Sequence, residues 1–317
     1  MTHIRRGWFW LALLVIAQPS FAEDGSFVRD GVRLHYRTEG TGTPAIFLSG
    51  GPGFDVDYII PIAEFLPASY QRVYFEQRGT GRSTVPLTPE TMTLRNVVED
   101  LEGLRVHLKQ PRLFLIGHSW GGMLAMAYAA AHPDRIDRMI LIGPGGPTLE
   151  FTQWFDDNIR IRLRQEDLDA ERYWDEAPKR GTNEDKAALE SIRAITPGYF
   201  FDRAKGRAFA STMKDGVVHA QVNLLLFGDM RKRYDSRPGL RKLARPVLIV
   251  QGHQDPVGQK TAEEIHAAIR TSKLTYFNQC GHFPWLEQPD EFRKTVAAFL
   301  ANASAANRGN RRSVTRK

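Results

Sequence analysis

Leu113-Phe114-Leu115-Ile116-Gly117-His118-Ser119-Trp120-Gly121-Gly122 joins a short apolar run to a small-residue segment that continues to Ala131. Four apolar residues bounded by glycine suit a buried parallel strand, and Gly122–Ala131 suits a closely packed helix. Between them stands Gly-x-Ser-x-Gly. A serine on a sharp turn from strand to helix presents its hydroxyl clear of the sheet. Glycines two residues to either side let helix and neighbouring strand approach without Cβ clashes. Ser119 is therefore the candidate nucleophile.

A serine hydroxyl is a poor nucleophile without a base, and the base needs an acid to orient it. Val247–Gln251 reads as a strand, and the loop after it carries Asp255. Leu274–Phe277 reads as the next strand, and its loop ends Cys280-Gly281-His282. The order Ser119, Asp255, His282 along the chain gives nucleophile, orienting acid and general base. His107, His132 and His266 fall on or at the ends of predicted helices, and His118 is expected to pack beneath the serine. His253 is the nearest competitor, but it shares its loop with the acid. Acyl transfer also needs donors for an oxyanion. The Trp120 backbone N–H is one candidate. The other is Gly51, in the loop Leu48-Ser49-Gly50-Gly51-Pro52-Gly53.

Farther out, Asp30-Gly31 marks a hairpin within Phe27–Tyr36. Short apolar runs at Ala45–Ser49, Arg72–Phe75 and Met139–Gly143 join the three strands above. Helical patterns lie between them at about 57–66, 93–109, 120–131, 260–270 and 289–300. This alternation predicts an α/β chain, with a mostly parallel central sheet flanked by helices. From 147 to 238 no strand-like run occurs. Phe151, Trp154, Phe155, Ile159 and Leu163 share one helical face there, which predicts an all-helical cap over the carboxyl edge of the sheet. The core is thus expected in two parts, 23–146 and 239–300.

The chain has 317 residues and a formal charge of +7. Arg5 and Arg6 supply two of those charges, and residues 301–317, which lack acids, supply five. Residues 23–300 are therefore neutral overall, which argues against a nucleic-acid partner. The tail reads as a basic disordered extension. Arg5-Arg6, the apolar run Gly7–Ala17 and the small-residue site Ser20-Phe21-Ala22 form a signal-peptide pattern over residues 1–22. The run is too short for a mature spanning helix. The mature chain is expected to start at Glu23, in the periplasm or outside the cell, without stable membrane insertion. Cys280 is the one cysteine, so no intramolecular disulfide can form.

Ser49-Gly50-Gly51-Pro52-Gly53 resembles the His-Gly-Gly-Pro-Gly loop of the proline iminopeptidase family of α/β-hydrolases. Glu76-Gln77-Arg78-Gly79-Thr80-Gly81-Arg82-Ser83 resembles that family's Asp-Gln-Arg-Gly-x-Gly-x-Ser segment. Gly117–Gly122 and Cys280–Trp285 extend the match. The resemblance implies an α/β-hydrolase fold and a serine peptidase that removes N-terminal proline from short peptides, with no metal or other cofactor. Two positions depart from it. Ser49 replaces the loop histidine. In Gln221–Phe227, Asn223 stands where the family carries a glutamate for the substrate's amino group. Glu150, Asp156, Asp202 and Asp229 are other cap acids that could take that part. Gly50, Trp154, Asn223 and Trp285 form the candidate substrate-binding set. The alternative reading keeps the triad but turns it on a small uncharged ester or lactone, with Trp154, Trp174, Tyr199, Phe200 and Phe201 as lining. A dehalogenase or epoxide hydrolase would need a carboxylate at position 119, and a binding module would not need the triad.

Overall fold

The computed structural model describes residues 23–314, so the segment read as a signal peptide lies outside it. Strands β1 (Glu23–Arg29) and β2 (Val32–Glu39) form the expected hairpin. Asp30 and Gly31 turn it with φ of 47° and 78°, the left-handed pair that a tight hairpin requires. Then follow β3 (Thr43–Leu48), β4 (Tyr70–Phe75), β5 (Leu113–His118), β6 (Ile136–Ile142), β7 (Val247–Gly252) and β8 (Ser272–Phe277). The sheet order is β1-β2-β4-β3-β5-β6-β7-β8. β2 runs antiparallel to β1 and β4, and all later pairings are parallel.

The strand quoted above lies central in this sheet, and all six of its residues are buried. Its side chains alternate between two cores. Leu113 and Leu115 face the core that contains α1 (Leu94–His107) and α2 (Trp120–Ala131). Phe114 and Ile116 face the other, which contains a 3-10 segment (Val56–Phe65) and the long C-terminal helix. Burial of each such side chain contributes about 1.5–3 kcal/mol, so this strand alone anchors the elbow that follows it. The sequence predicts an α-helix at 57–66. The structure forms a 3-10 segment there, in which Pro61 deprives the turn of an N–H donor.

Between β6 and β7 lie α3 (Thr152–Arg160), α4 (Gln165–Asp175), α5 (Glu184–Ile195), α6 (Arg203–Thr212), α7 (Ala220–Arg233) and α8 (Arg237–Leu240). After β7 come α9 (Gln259–Ala268), α10 (Pro284–Glu287) and α11 (Pro289–Val314). The last helix runs past residue 300, where the sequence predicts a disordered tail. Its alanines at 301, 303, 305 and 306 are strong helix formers, and they carry the helix on.

Candidate active site

The parallel strands bring four loops to one edge of the sheet: those after β3, β5, β7 and β8. Ser119 follows β5 with φ 55° and ψ −119°. This backbone state costs a non-glycine residue on the order of 1–3 kcal/mol. Four main-chain bonds hold it. The Ser119 N–H donates to the Ile142 carbonyl at 3.0 Å, and its own carbonyl accepts from Gly122, Met123 and Gly145. Gly121 is obligatory, because a Cβ there would stand 2.1 Å from the Leu48 carbonyl oxygen.

Asp255 and His282 lie at the ends of β7 and β8, both almost wholly buried. His282 Nδ1 lies 2.9 and 3.0 Å from the two Asp255 carboxylate oxygens. The carboxylate only accepts, so Nδ1 carries the proton and Nε2 keeps its lone pair. Asp255 Oδ1 also accepts the Val257 N–H at 2.9 Å, so the residue shapes its turn as well as the histidine. Gly143, at the end of β6, leaves room for the pair. A Cβ there would come within 2.7 Å of Asp255 Oδ2 and 2.9 Å of His282 Nδ1. Two residues on, Gly145 bonds Ser119, so serine and histidine border the same short segment. His253 stacks on Tyr276 and bonds Gln259, away from this centre.

The loop after β3 lies against the serine. A Cβ on Gly50 would come within 3.1 Å of Ser119 Cβ. The Gly50 N–H donates to Tyr58 Oη at 2.6 Å, so it is already used within the protein. Gly51 has φ 109° and is partly exposed. Trp120 opens α2, where an N–H has no acceptor within the helix. The Trp120 indole donates to Gln77 Oε1, and Gln77 Nε2 donates to the Ser49 carbonyl at 2.9 Å. Gln77 therefore ties the loop to the elbow. Ser49 Oγ donates to the Phe54 carbonyl, so the residue that replaces the expected histidine pins the loop from within.

The structure gives three of the sequence-predicted binding residues other work. Trp285 is 2% exposed and packs edge-on against His118, beneath the site. Trp154 donates its indole N–H to the Val257 carbonyl and lies under Lys260, so it fastens α3 to the Asp255 loop. Asn223 donates to the Pro52 carbonyl at 3.1 Å and fastens α7 to the glycine loop. Each had the residue type of a ligand contact, and each has a partner within the protein. Phe200 is buried and stacks on Phe283.

Glu287, which motif reading missed, and Tyr199, named above only as apolar lining, complete the surroundings. Glu287 is buried and accepts the N–H groups of Phe201, Asp202 and Gly281, which joins the His282 loop to the cap. Burial pushes its carboxyl up despite those three donors. Tyr199 places its ring 5.4 Å from that of His282, and its carbonyl accepts the His282 N–H. Burial raises the Tyr199 phenol, as do the nearby charges of Asp156, Asp255 and Glu171. Glu150 pairs with Arg237, Asp202 caps α6, and Asp229 accepts the Leu94 N–H. Asp156 is exposed on α3, and its side chain makes no hydrogen bond or ion pair among the described residues.

A family model for the alpha/beta hydrolase fold matches residues 43–289. The chain belongs to the α/β-hydrolase family. It is a hydrolase, and it is similar to proline iminopeptidases. It is 25% identical over 268 residues to the proline iminopeptidase of Heyndrickxia coagulans, across 82% of this chain and 91% of that one. Among solved structures, the proline iminopeptidase-related protein of Thermus thermophilus superposes with a TM-score of 0.69 at 21% identity, over 89% of this chain and 99% of that one. An esterase from Exiguobacterium antarcticum superposes at 0.63 and 20% identity, over 86% and 97%.

Proposed function

We propose that this chain is a serine hydrolase in which Ser119, His282 and Asp255 form the catalytic triad. We further propose that it releases small N-terminal residues, proline first, from short peptides. The observation that carries the reading is the buried Asp255–His282 pair beside a serine held at positive φ on a strand–helix elbow. Ser119 Oγ attacks the carbonyl carbon while His282 Nε2 takes its proton. The oxyanion formed receives the Gly51 and Trp120 N–H groups, each worth about 3–4 kcal/mol in such a site. As the C–N bond breaks, the imidazolium returns that proton to the leaving amine. Water, deprotonated by His282, then attacks the acyl-serine and frees it. Asp255 stays ionised and stabilises the imidazolium.

A substrate with a free N-terminus brings an ammonium group. Asp156 is the free cap acid whose charge reaches the Tyr199 phenol beside His282, and it is the proposed counter-charge. Its exposure limits the gain to about 1 kcal/mol, a several-fold effect on KM. The alternative, an esterase or lactonase, draws support from Asn223, a neutral amide already bonded to backbone where the resemblance places a carboxylate. Parallel assays with proline p-nitroanilide and p-nitrophenyl butyrate separate the two. Anilide turnover with a KM raised several-fold in Asp156→Asn is the expected result. Ester turnover alone would establish the alternative. Ser119→Ala should abolish either activity and labelling by a fluorophosphonate, and undiminished labelling would remove Ser119 as nucleophile. Export is proposed from the pattern at residues 5–22, and mass spectrometry of the exported chain should find Glu23 at its start.

A further inference from the structure

A continuous line of hydrogen bonds runs under the site. The Gly50 N–H lies 2.6 Å from Tyr58 Oη, Tyr58 Oη lies 2.8 Å from His118 Nδ1, and His118 Nε2 lies 3.0 Å from the His282 carbonyl oxygen. Proton positions along it follow from its two ends. The His282 carbonyl can only accept, so His118 Nε2 carries the hydrogen. Nδ1 then holds a lone pair and accepts from the Tyr58 hydroxyl, whose oxygen is left to accept the Gly50 N–H. Every group thus donates in one direction, from loop to base. His118 is 2% exposed, and its ring stands 4.5 Å from that of His282. Burial and the adjacent His282 hold it well below the ordinary imidazole range, so it stays in the neutral form that the line requires.

The loop end of this line bears on the oxyanion donor. The Gly50 carbonyl accepts from the Phe54 N–H at 3.4 Å, and the Gly50 N–H is held by Tyr58. Both polar groups of Gly50 are therefore fixed. The Gly51 N–H shares a rigid peptide plane with the Gly50 carbonyl and points the opposite way. Its direction is set by what holds Gly50.

We propose that Tyr58 and His118 are positioning residues for catalysis. They fasten the glycine loop to the backbone of the catalytic histidine and so aim the Gly51 N–H at the developing oxyanion. The proposal rests on the triad reading above. It adds that the loop donor is prearranged by a tyrosine–histidine pair that touches no substrate. Without Tyr58 Oη, the buried Gly50 N–H loses its acceptor, the Ser49–Gly50 peptide that carries it turns, and the Gly50–Gly51 peptide joined to it at Gly50 loses its fixed direction.

The test is kinetic, on whichever of the anilide or ester is turned over. Tyr58→Phe should lower kcat about 10- to 100-fold, below the full loss of one oxyanion donor, with KM within about twofold. Stoichiometric but slower labelling by the fluorophosphonate should persist. His118→Gln keeps an N–H near the Nε2 position for the His282 carbonyl but has no atom at the Nδ1 position to accept from Tyr58, and it should behave alike. The double variant should be no slower than the worse single one, because both break the same line. A kcat within twofold of the parent, a loss confined to KM, or additive losses would overturn the proposal. Should Tyr58→Phe fail to fold, as judged by thermal melting, His118→Gln carries the same prediction. Ser119→Ala is run alongside. Turnover or labelling that survives it defeats the triad reading itself, whereas its loss beside an unchanged Tyr58→Phe defeats only this proposal.

Discussion

Ser119 has to sit in a backbone state that only glycine adopts freely, at φ 55° and ψ −119°. That strain is a property of the backbone, so Ser119→Ala should retain it and Ser119→Gly should release it. Glycine gives back some of the gain through its freer unfolded chain, about 0.5–1 kcal/mol, against the roughly 1–3 kcal/mol of strain. Ser119→Gly should therefore be about 1 kcal/mol more stable than Ser119→Ala in urea unfolding, although neither turns over substrate. Equal stabilities would show that the elbow is not strained. At this scale the three residues of the proposed triad stood out because such chemistry demands fixed residue types in a fixed chain order at strand ends. Trp154, Asn223 and Trp285 were picked by residue type, and an indole or amide serves the protein's own groups as readily as a ligand. Their partners, the carbonyls of Val257 and Pro52 and the ring of His118, are set by folding across 100 residues or more. Tyr58 left no motif, since its role depends on the turn of a 3-10 segment.

The glycine loop and the cap meet through whole segments. Asp55 N–H donates to the Val217 carbonyl, His219 N–H donates to the Gly53 carbonyl, and the His219 ring lies 3.0 Å from Asp55 Oδ1. The same carboxylate oxygen accepts the Gly81 N–H, and Asp185 adds a second negative charge near the ring. The Asp55 hydrogen bond, offset in part by burial, raises His219 above the ordinary imidazole value of 6.5. A group raised on folding contributes stability that is fully present below its unfolded pKa and is lost as pH rises through its folded one. The strap is therefore tightest below about pH 6.5. His219→Ala should cost more stability at pH 5.5 than at pH 8.5. Equal costs at the two values, from urea unfolding, would mean that the pair never carries a charge. The existence of most elements was plain from hydrophobic period, but the joints between them were not. Periodicity reports which face of a helix is buried, not which carbonyl a histidine or glutamate will find.

Across the whole molecule, the segment Glu76–Ser83, which resembles a family signature, works in assembly. Arg78 forms two 2.7 Å bonds with the Asp100 carboxylate, and Arg29 adds a third at 2.9 Å. Asp100 is wholly buried on α1, Arg29 ends the first strand, and Arg78 follows β4. One carboxylate thus joins the edge hairpin, the first helix and the segment whose Gln77 holds the glycine loop. Opposite charges matched in this way add little net stability when both are present, because each was stripped of water. Removal of one partner is different, since it leaves buried charge uncompensated at about 3–5 kcal/mol. Asp100→Ala strands the buried Arg78 guanidinium and should fall within that range, lowering Tm by roughly 5–8 °C for a chain of this size. Arg78→Met with Asp100→Leu, which removes the buried pair together, should recover part of the loss, whereas the surface-reaching Arg29 can turn to Asp30 and solvent. Folded Asp100→Ala should still be labelled at Ser119 at close to the parental rate, because no triad residue touches this ion pair. A variant that melts normally but labels slowly would instead place the carboxylate in the line of support for the active site, through Gln77.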